Sequence, residues 1–271
     1  MIGQHNLQSR ITSLIEKDRL PRFIILVGPD GSGKAVMANF ILCTIQKKMS
    51  AVGLQLPDVK ADTVRAFTSD IYRFAGMTNV LMIIDADNMS LAAKNALLKV
   101  TEEPPNDCYF IMTLTDVNNT LETIKSRATI FHMDPYTPDE IHQYANEQLN
   151  YTMHDDEYDI IEAVCTTPGE VEKIGKYPRE FYEYVRLVFD NIAEVSIANS
   201  FKIPSKVALK DDADGYDLRL FWKAFMNICL HENKVDGIYI TSKYLAQLRI
   251  KGINKQMAMD NWILEIREAW A

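Results

Sequence analysis

What the sequence lacks narrows it first. It has no C-x-x-C pair: its four cysteines, Cys43, Cys108, Cys165 and Cys229, stand far apart. That spacing excludes an ordinary zinc module and fits a reduced compartment with buried thiols rather than a disulfide framework. The five histidines (His5, His132, His142, His154 and His231) are equally scattered, so no metal site and no zinc are expected. No charged-then-apolar segment opens the chain, and no apolar run approaches the roughly 18 residues that span a bilayer. A cytoplasmic protein without a membrane partner is therefore expected. An excess of positive charge is also missing, since 29 Lys and Arg face 37 Asp and Glu for a net charge of −8. Coating DNA by bulk charge is excluded, although a local basic face is not. Internal repeats and low-complexity tracts are absent as well.

What is present is the composition of an ordinary globular protein, 47% apolar and 24% charged over 271 residues, long enough for two or three domains. Short apolar runs occur at FIILV (23–27), VLMII (80–84), YFIMTL (109–114) and TIFHM (129–133). Bounded by Gly, Asp or Asn and separated by helix-period stretches such as LAAKNALLKVTEE, they predict buried strands of a parallel sheet in an α/β domain. After Asp134-Pro135 the texture changes. Thr137-Pro138-Asp139-Glu140 is a capping box with proline at the first helical position. From there the patterns are helical, with no convincing strand, and the polar stretch 203–217 reads as a linker or long loop. The boundaries predicted are an α/β domain over 1–135, a small helical domain over 136–198 and a helical C-terminal piece over 199–271.

GPDGSGKA (28–35) follows the first strand and precedes a helix, the context that a phosphate-binding loop requires. Gly28, Gly31 and Gly33 let the backbone curl so that its N–H groups, with that of Ser32 among them, face phosphate oxygens. Lys34 reaches the terminal phosphates. Ala35 stands where the motif has a Ser or Thr hydroxyl on Mg²⁺. ATP or ADP is thus expected to bind weakly, with Mg²⁺ deprived of a ligand unless water takes the place. An empty loop retained for packing is the alternative.

Hydrolysis also needs acid at the end of a neighbouring strand: one carboxylate to order the magnesium shell and an adjacent glutamate to handle the attacking water. VLMIID ends at Asp85, followed by Ala86, and Asp87 comes one residue later. A single carboxylate stands where two adjacent ones are wanted. With Ala35, this argues against hydrolysis by the chain.

DADNMSLAAKNALLKVTEEPP followed by YFIMTLTDVNNTLETIKSRA strongly resembles the AAA+ clamp-loader subunits of bacterial and phage replication. N-A-L-L-K, E-E-P-P and T-I-x-S-R carry the resemblance in combination, and GQHNLQSRITSLIEKDRLPRFIILVGP resembles the opening segment of that family. The likeness is specific over 1–135, weaker over 136–200 and faint beyond. It implies a P-loop AAA+ domain, a helical lid and a short helical collar for ring assembly. Within the family the pattern is nearest to the DNA polymerase III delta-prime kind, which does not hydrolyse ATP. Where active members carry D-E, either the glutamate is deleted or Asp85 takes its place with Ile84 in place of the aspartate. Where they carry a lid arginine, TTPGEVE offers Gly169. The partners implied are ATPase and delta-like clamp-loader subunits, the sliding clamp, and primer–template DNA through the complex.

One charged residue keeps the active pattern. Arg127, in Ser126-Arg127-Ala128, matches the family's arginine finger, the candidate catalytic group, which reaches the phosphates bound by a neighbouring subunit. A helix-capping role for Arg127 is the alternative. Thr115 falls near the family's sensor-1 position, with Thr113 as the other choice. Lys94, Lys99 and Lys125 could line a central channel or face solvent. Trp222, Trp262 and Trp270 lie among apolar residues at helical spacing and predict core or interface packing rather than base stacking. Two other readings stay open: a working AAA+ ATPase in which Asp85 or Asp87 replaces the missing glutamate, and an assembly module with an empty pocket.

Overall fold

The structure is a computed structural model. It describes residues 2–70, 77–102, 108–149, 160–174, 178–202, 205–209, 215–248, 250 and 252–271. The chain forms two compact units, which divide between Tyr136 and Thr137.

In the first unit the order is α1 (His5–Glu16), β1 (Phe23–Val27), α2 (Lys34–Lys48), β2 (Ala51–Gln55), α3 (Ala61–Asp70), β3 (Thr78–Ile83), α4 (Leu91–Glu102), β4 (Cys108–Leu114), α5 (Glu122–Lys125) and β5 (Thr129–His132). All strand pairs are parallel, in the order β2-β3-β4-β1-β5. Each strand of the middle is buried on both faces because successive side chains point to opposite sides. Phe23, Ile25 and Val27 pack with residues of α3, α4 and α5, whereas Ile24 and Leu26 pack with Ile11 of α1 and Met37 and Ile41 of α2. The continuous apolar run FIILV is the sequence mark of that double burial. The result is a three-layer α/β/α unit whose strands all end on one side, where open parallel sheets bind ligands.

Three of the four expected strands begin one or two residues earlier, or end one residue earlier, than the apolar runs. One strand went unforeseen. β2, AVGLQ, is an edge strand, only partly buried and interrupted by Gly53, so it shows no apolar run. Gly53 packs closely there: a Cβ would stand 2.3 Å from Leu42 Cδ2 on α2, so the Leu42 side chain would have to move.

The second unit contains α6 (Pro138–Leu149), α7 (Ile160–Val164), α8 (Pro168–Ile174), α9 (Pro178–Asn191), α10 (Ile197–Ser200), β6 (Val207–Ala208), β7 (Tyr216–Asp217), α11 (Leu218–His231), α12 (Val235–Gln247) and α13 (Lys255–Trp270). The capping box that opens α6 is formed: Glu140 N–H donates to Thr137 Oγ1 at 3.3 Å and Thr137 N–H to Glu140 Oε2 at 2.9 Å. The two-residue parallel pair β6–β7 corrects the expectation of no strand after 135, and its brevity explains why no alternation is visible. Trp222 and Trp262 are fully buried, and Phe225 meets the Trp262 ring edge-on at 4.7 Å and stacks on Trp270 at 5.8 Å. Cys108, Cys165 and Cys229 are buried, but Cys43 is exposed on α2, against the expectation of buried thiols. Burial pushes the Cys229 thiol up to about 12, which keeps it protonated.

α8 is fastened to α11 by charge. Glu170 Oε1 accepts from Lys223 Nζ at 2.7 Å, while its Oε2 accepts from the Thr166 amide at 2.8 Å and hydroxyl at 2.9 Å. The Glu170 side chain keeps 11% of its exposure and that of Lys223 24%, so removing one partner leaves a poorly hydrated charge. Glu170→Ala is expected to destabilise this unit by about 2–3 kcal/mol, and Glu170→Met with Lys223→Met by less. Urea unfolding followed by tryptophan fluorescence checks this cleanly, because Trp222, Trp262 and Trp270 all lie in the second unit.

Candidate phosphate site and the ends of the central strands

The loop Gly28–Gly33 leaves β1 and turns directly into α2. Gly31 and Gly33 have φ of 75° and 81°, the left-handed region that a side chain disfavours. Gly28 is fixed by crowding instead, since a Cβ there would lie 2.7 Å from Met133 Cγ and 2.8 Å from Ser32 Oγ. The Lys34 ammonium is buried and donates to the carbonyls of Gly28 at 2.9 Å and Pro29 at 3.0 Å. Burial lowers its pKa, against the opposing pull of Asp30, Asp85 and Asp87. Ser32 Oγ is buried without a hydrogen-bond partner. A curled glycine loop, a helix N-terminus, a desolvated ammonium and an unused hydroxyl together fit a phosphate group. Ala35 contributes only a methyl group, so the set does not fit a magnesium ion held through that position.

Sequence reasoning missed one clamp on this loop and a second on the segment after β5. Tyr136 donates its hydroxyl proton to the Ser32 carbonyl at 2.9 Å. Gln4 pairs with the backbone of Asp134, its Nε2 donating to the carbonyl at 2.7 Å and its Oε1 accepting from the amide at 2.8 Å. The first ties the segment after β5 to the phosphate loop and the second ties the segment before α1 to the same strand end. Neither contact has a local sequence signature, because each joins positions more than 100 residues apart.

The acids after β3 occupy different surroundings. The strand stops at Ile83, and Asp85 takes a left-handed conformation with φ of 54°. Its amide donates to Thr113 Oγ1 at 2.8 Å, and Thr113 is completely buried. Asp87 sits in a single turn of 3₁₀ helix. Its Oδ1 accepts from the Thr115 amide at 2.9 Å, the Thr115 hydroxyl at 2.6 Å and Asn119 Nδ2 at 2.7 Å, and its Oδ2 accepts from the Thr115 amide at 3.0 Å. Burial would raise the Asp87 pKa, but the donors from Thr115 and Asn119 outweigh it and hold the carboxyl below its ordinary value. Both sensor candidates, Thr113 and Thr115, are thus engaged by the segment that follows β3. The spacing D-x₂₇-T-x₃-N carries no signal until β3 and β4 are known to be neighbours.

Arg127 lies elsewhere, just past α5. Its Nη1 donates to the Thr123 carbonyl at 2.6 Å and its Nη2 to Glu102 Oε1 at 3.0 Å, with a third of the side chain exposed. It is not buried against its own domain, and it is not among the charges that act on Lys34. Lys125 pairs with Glu122 at 2.6 Å, and Lys94 donates to the Asn119 carbonyl. The Lys99 side chain, Glu103, Pro104, Pro105 and His154 lie outside the described residues. Gly169 falls within α8 of the second unit. Among the described residues no cluster of His, Cys, Asp and Glu could hold a metal, and no helix is long and apolar enough to cross a membrane.

The parallel sheet in this strand order, with a glycine-rich phosphate loop after β1 and a helical unit following in sequence, is the fold of AAA+ P-loop domains. Over its length the chain superposes on a DNA polymerase III gamma subunit-related protein from Thermotoga maritima with a TM-score of 0.52 at 16% identity, covering 97% of this chain and 99% of that one. That likeness speaks to fold. Within the class the chain resembles the clamp-loader subunits, as its motifs imply. Residues 43–137 match the family model described as DNA polymerase III, delta subunit. Human replication factor C subunit 5 is 25% identical over 244 residues, covering 84% of this chain and 68% of that protein. The DNA polymerase III gamma subunit of Buchnera aphidicola subsp. Schizaphis graminum is 25% identical over 174 residues, covering 55% and 48%.

Asp87 gives the site a testable pH dependence. Because its native carboxyl ionises below the unfolded value of ~3.9, its stabilisation is present above that value and lost as pH falls through the native one. Asp87→Asn should therefore lower protection of the β4 amides at neutral pH and flatten its loss on acidification. Hydrogen exchange between pH 7 and 3 measures both, and parallel curves for the two proteins would contradict the assignment.

Proposed function

We propose that the chain is a clamp-loader subunit of the delta-prime kind, which serves DNA replication by helping an assembly load a sliding clamp at primer–template DNA. In this reading it does not hydrolyse ATP itself and presents Arg127 to the nucleotide of a neighbouring ATPase subunit. The α/β domain spans 1–135, the lid 136–198 and the ring-forming collar 199–271. The observation that carries the reading is an asymmetry between two sites. At the chain's own loop a phosphate cradle persists without the metal hydroxyl, and the nearby acids are Asp85 in a left-handed turn and Asp87 saturated by donors. At the end of α5, an arginine stands partly exposed, held by the Glu102 carboxylate and the Thr123 carbonyl.

A bound ATP or ADP would be held by the Gly28–Gly33 amides, Lys34 and the start of α2, and would supply the charge that Lys34 is placed to meet. The working-ATPase reading needs a base. Asp87 is ill suited, because a carboxylate whose charge is already held by donors from Thr115 and Asn119 has less tendency to take a proton from water.

Two measurements separate the readings. The purified chain alone should show no turnover of ATP that Lys34→Ala removes. In the reconstituted assembly, Arg127→Ala should lower DNA-stimulated hydrolysis by ~10³-fold or more at the site it serves, the scale of an arginine finger. Assembly turnover equal to wild type would remove the role of Arg127, and Lys34-dependent turnover by the chain alone would favour an active enzyme.

A further inference from the structure

The contact between Arg127 and Glu102 raises a separate question, because it joins residues 25 positions apart and occupies one edge of the guanidinium. Glu102 lies on α4. Its carboxylate is half exposed and is met there by Arg127 Nη2 at 3.0 Å. Arg127 follows the end of α5, and its Nη1 caps that helix through the Thr123 carbonyl at 2.6 Å. The two terminal nitrogens of the guanidinium are therefore both used within the chain, one by a neutral carbonyl and one by a carboxylate. An incoming phosphate would suffer repulsion from that carboxylate if the pair stayed closed. At this exposure the pair is weak enough to exchange, since solvent screens it and the side chains regain freedom on separating.

We propose that Glu102 is the positioning residue of Arg127: it holds the guanidinium docked on its own domain, and the terminal phosphate of a neighbouring subunit's nucleotide displaces it. This rests on the reading of Arg127 as acting in trans. The pair keeps the arginine ordered and near the edge of the domain before a neighbour's nucleotide arrives, and it sets how much nucleotide is needed to engage it.

The test is steady-state hydrolysis by the assembly purified with the full-length chain, comparing wild type, Glu102→Gln, Arg127→Ala and the double variant. Glu102→Gln keeps the shape and removes the charge that competes with phosphate. It should lower the half-saturating ATP concentration about two- to five-fold, the scale of a half-exposed ion pair, without a fall in kcat. The shift should vanish in the Arg127→Ala background, and Glu102→Asp, with its carboxylate one methylene further back, should give an intermediate shift. A fall in kcat, an unchanged half-saturation, or a shift that persists without Arg127 would overturn the proposal. If Arg127→Ala alone leaves turnover untouched, it is the underlying reading of Arg127 that fails.

Discussion

The carboxylate of Asp87 joins the chain leaving β3 to the chain leaving β4, and most of the site depends on that junction. Beyond the end of a strand a backbone amide has no ladder partner, and the first amide past β4, at Thr115, needs another. Asp87 supplies it, and takes the Thr115 hydroxyl and the Asn119 side chain in the same grip. The turn over 117–119 is then fixed, and with it the position of α5 a few residues on. The neighbouring amide of Asp85 is held in the same manner by Thr113 from inside β4. The acids after β3 thus organise the ends of two strands. A carboxylate used in this way cannot serve equally as a proton acceptor for water, because each donor that stabilises its charge also lowers its affinity for a proton.

Much of the first unit was legible because its central strands are buried on both faces, which forces continuous apolar runs such as FIILV and YFIMTL. β2 escaped because an edge strand with Gly53 needs no such run. The phosphate loop was legible because its glycines and lysine are adjacent in sequence and each has a local duty. The clamps by Tyr136 and Gln4, the Asp87–Thr115–Asn119 network and the Glu102–Arg127 pair were not, since they exist only once the strand order brings distant segments together. The Thr137–Glu140 capping box, a device of four consecutive residues, could be read directly. Range along the chain, more than chemistry, separates what could be read from what could not.

In the second unit, the carboxylate of Glu170 adds a charged tie between α8 and the longer α11. α8 begins at Pro168. The Thr166 and Thr167 segment closes its first turn, and Lys223 fastens that turn to α11, the helix that also carries Trp222 and Phe225 into the aromatic core. Gly169 lies within the same fastened turn. Its backbone is therefore committed to α8 rather than presented as a mobile loop.

The two cations that matter most are kept in opposite conditions. The Lys34 ammonium is compact and buried, and loop carbonyls satisfy it so that it stays aimed into its own cradle. Burial lowers its pKa against the pull of Asp30, Asp85 and Asp87, and a phosphate in the cradle would add further negative charge beside it. Arg127 carries a broad, planar charge on the surface, touched on two edges by oxygen atoms and still open to solvent. Guanidinium is less strongly hydrated than ammonium and can exchange one oxygen partner for another in the same plane. A fixed ammonium suits holding an anion in place. The proposed function uses this difference, since a guanidinium held by exchangeable oxygens suits meeting an anion that arrives from another molecule.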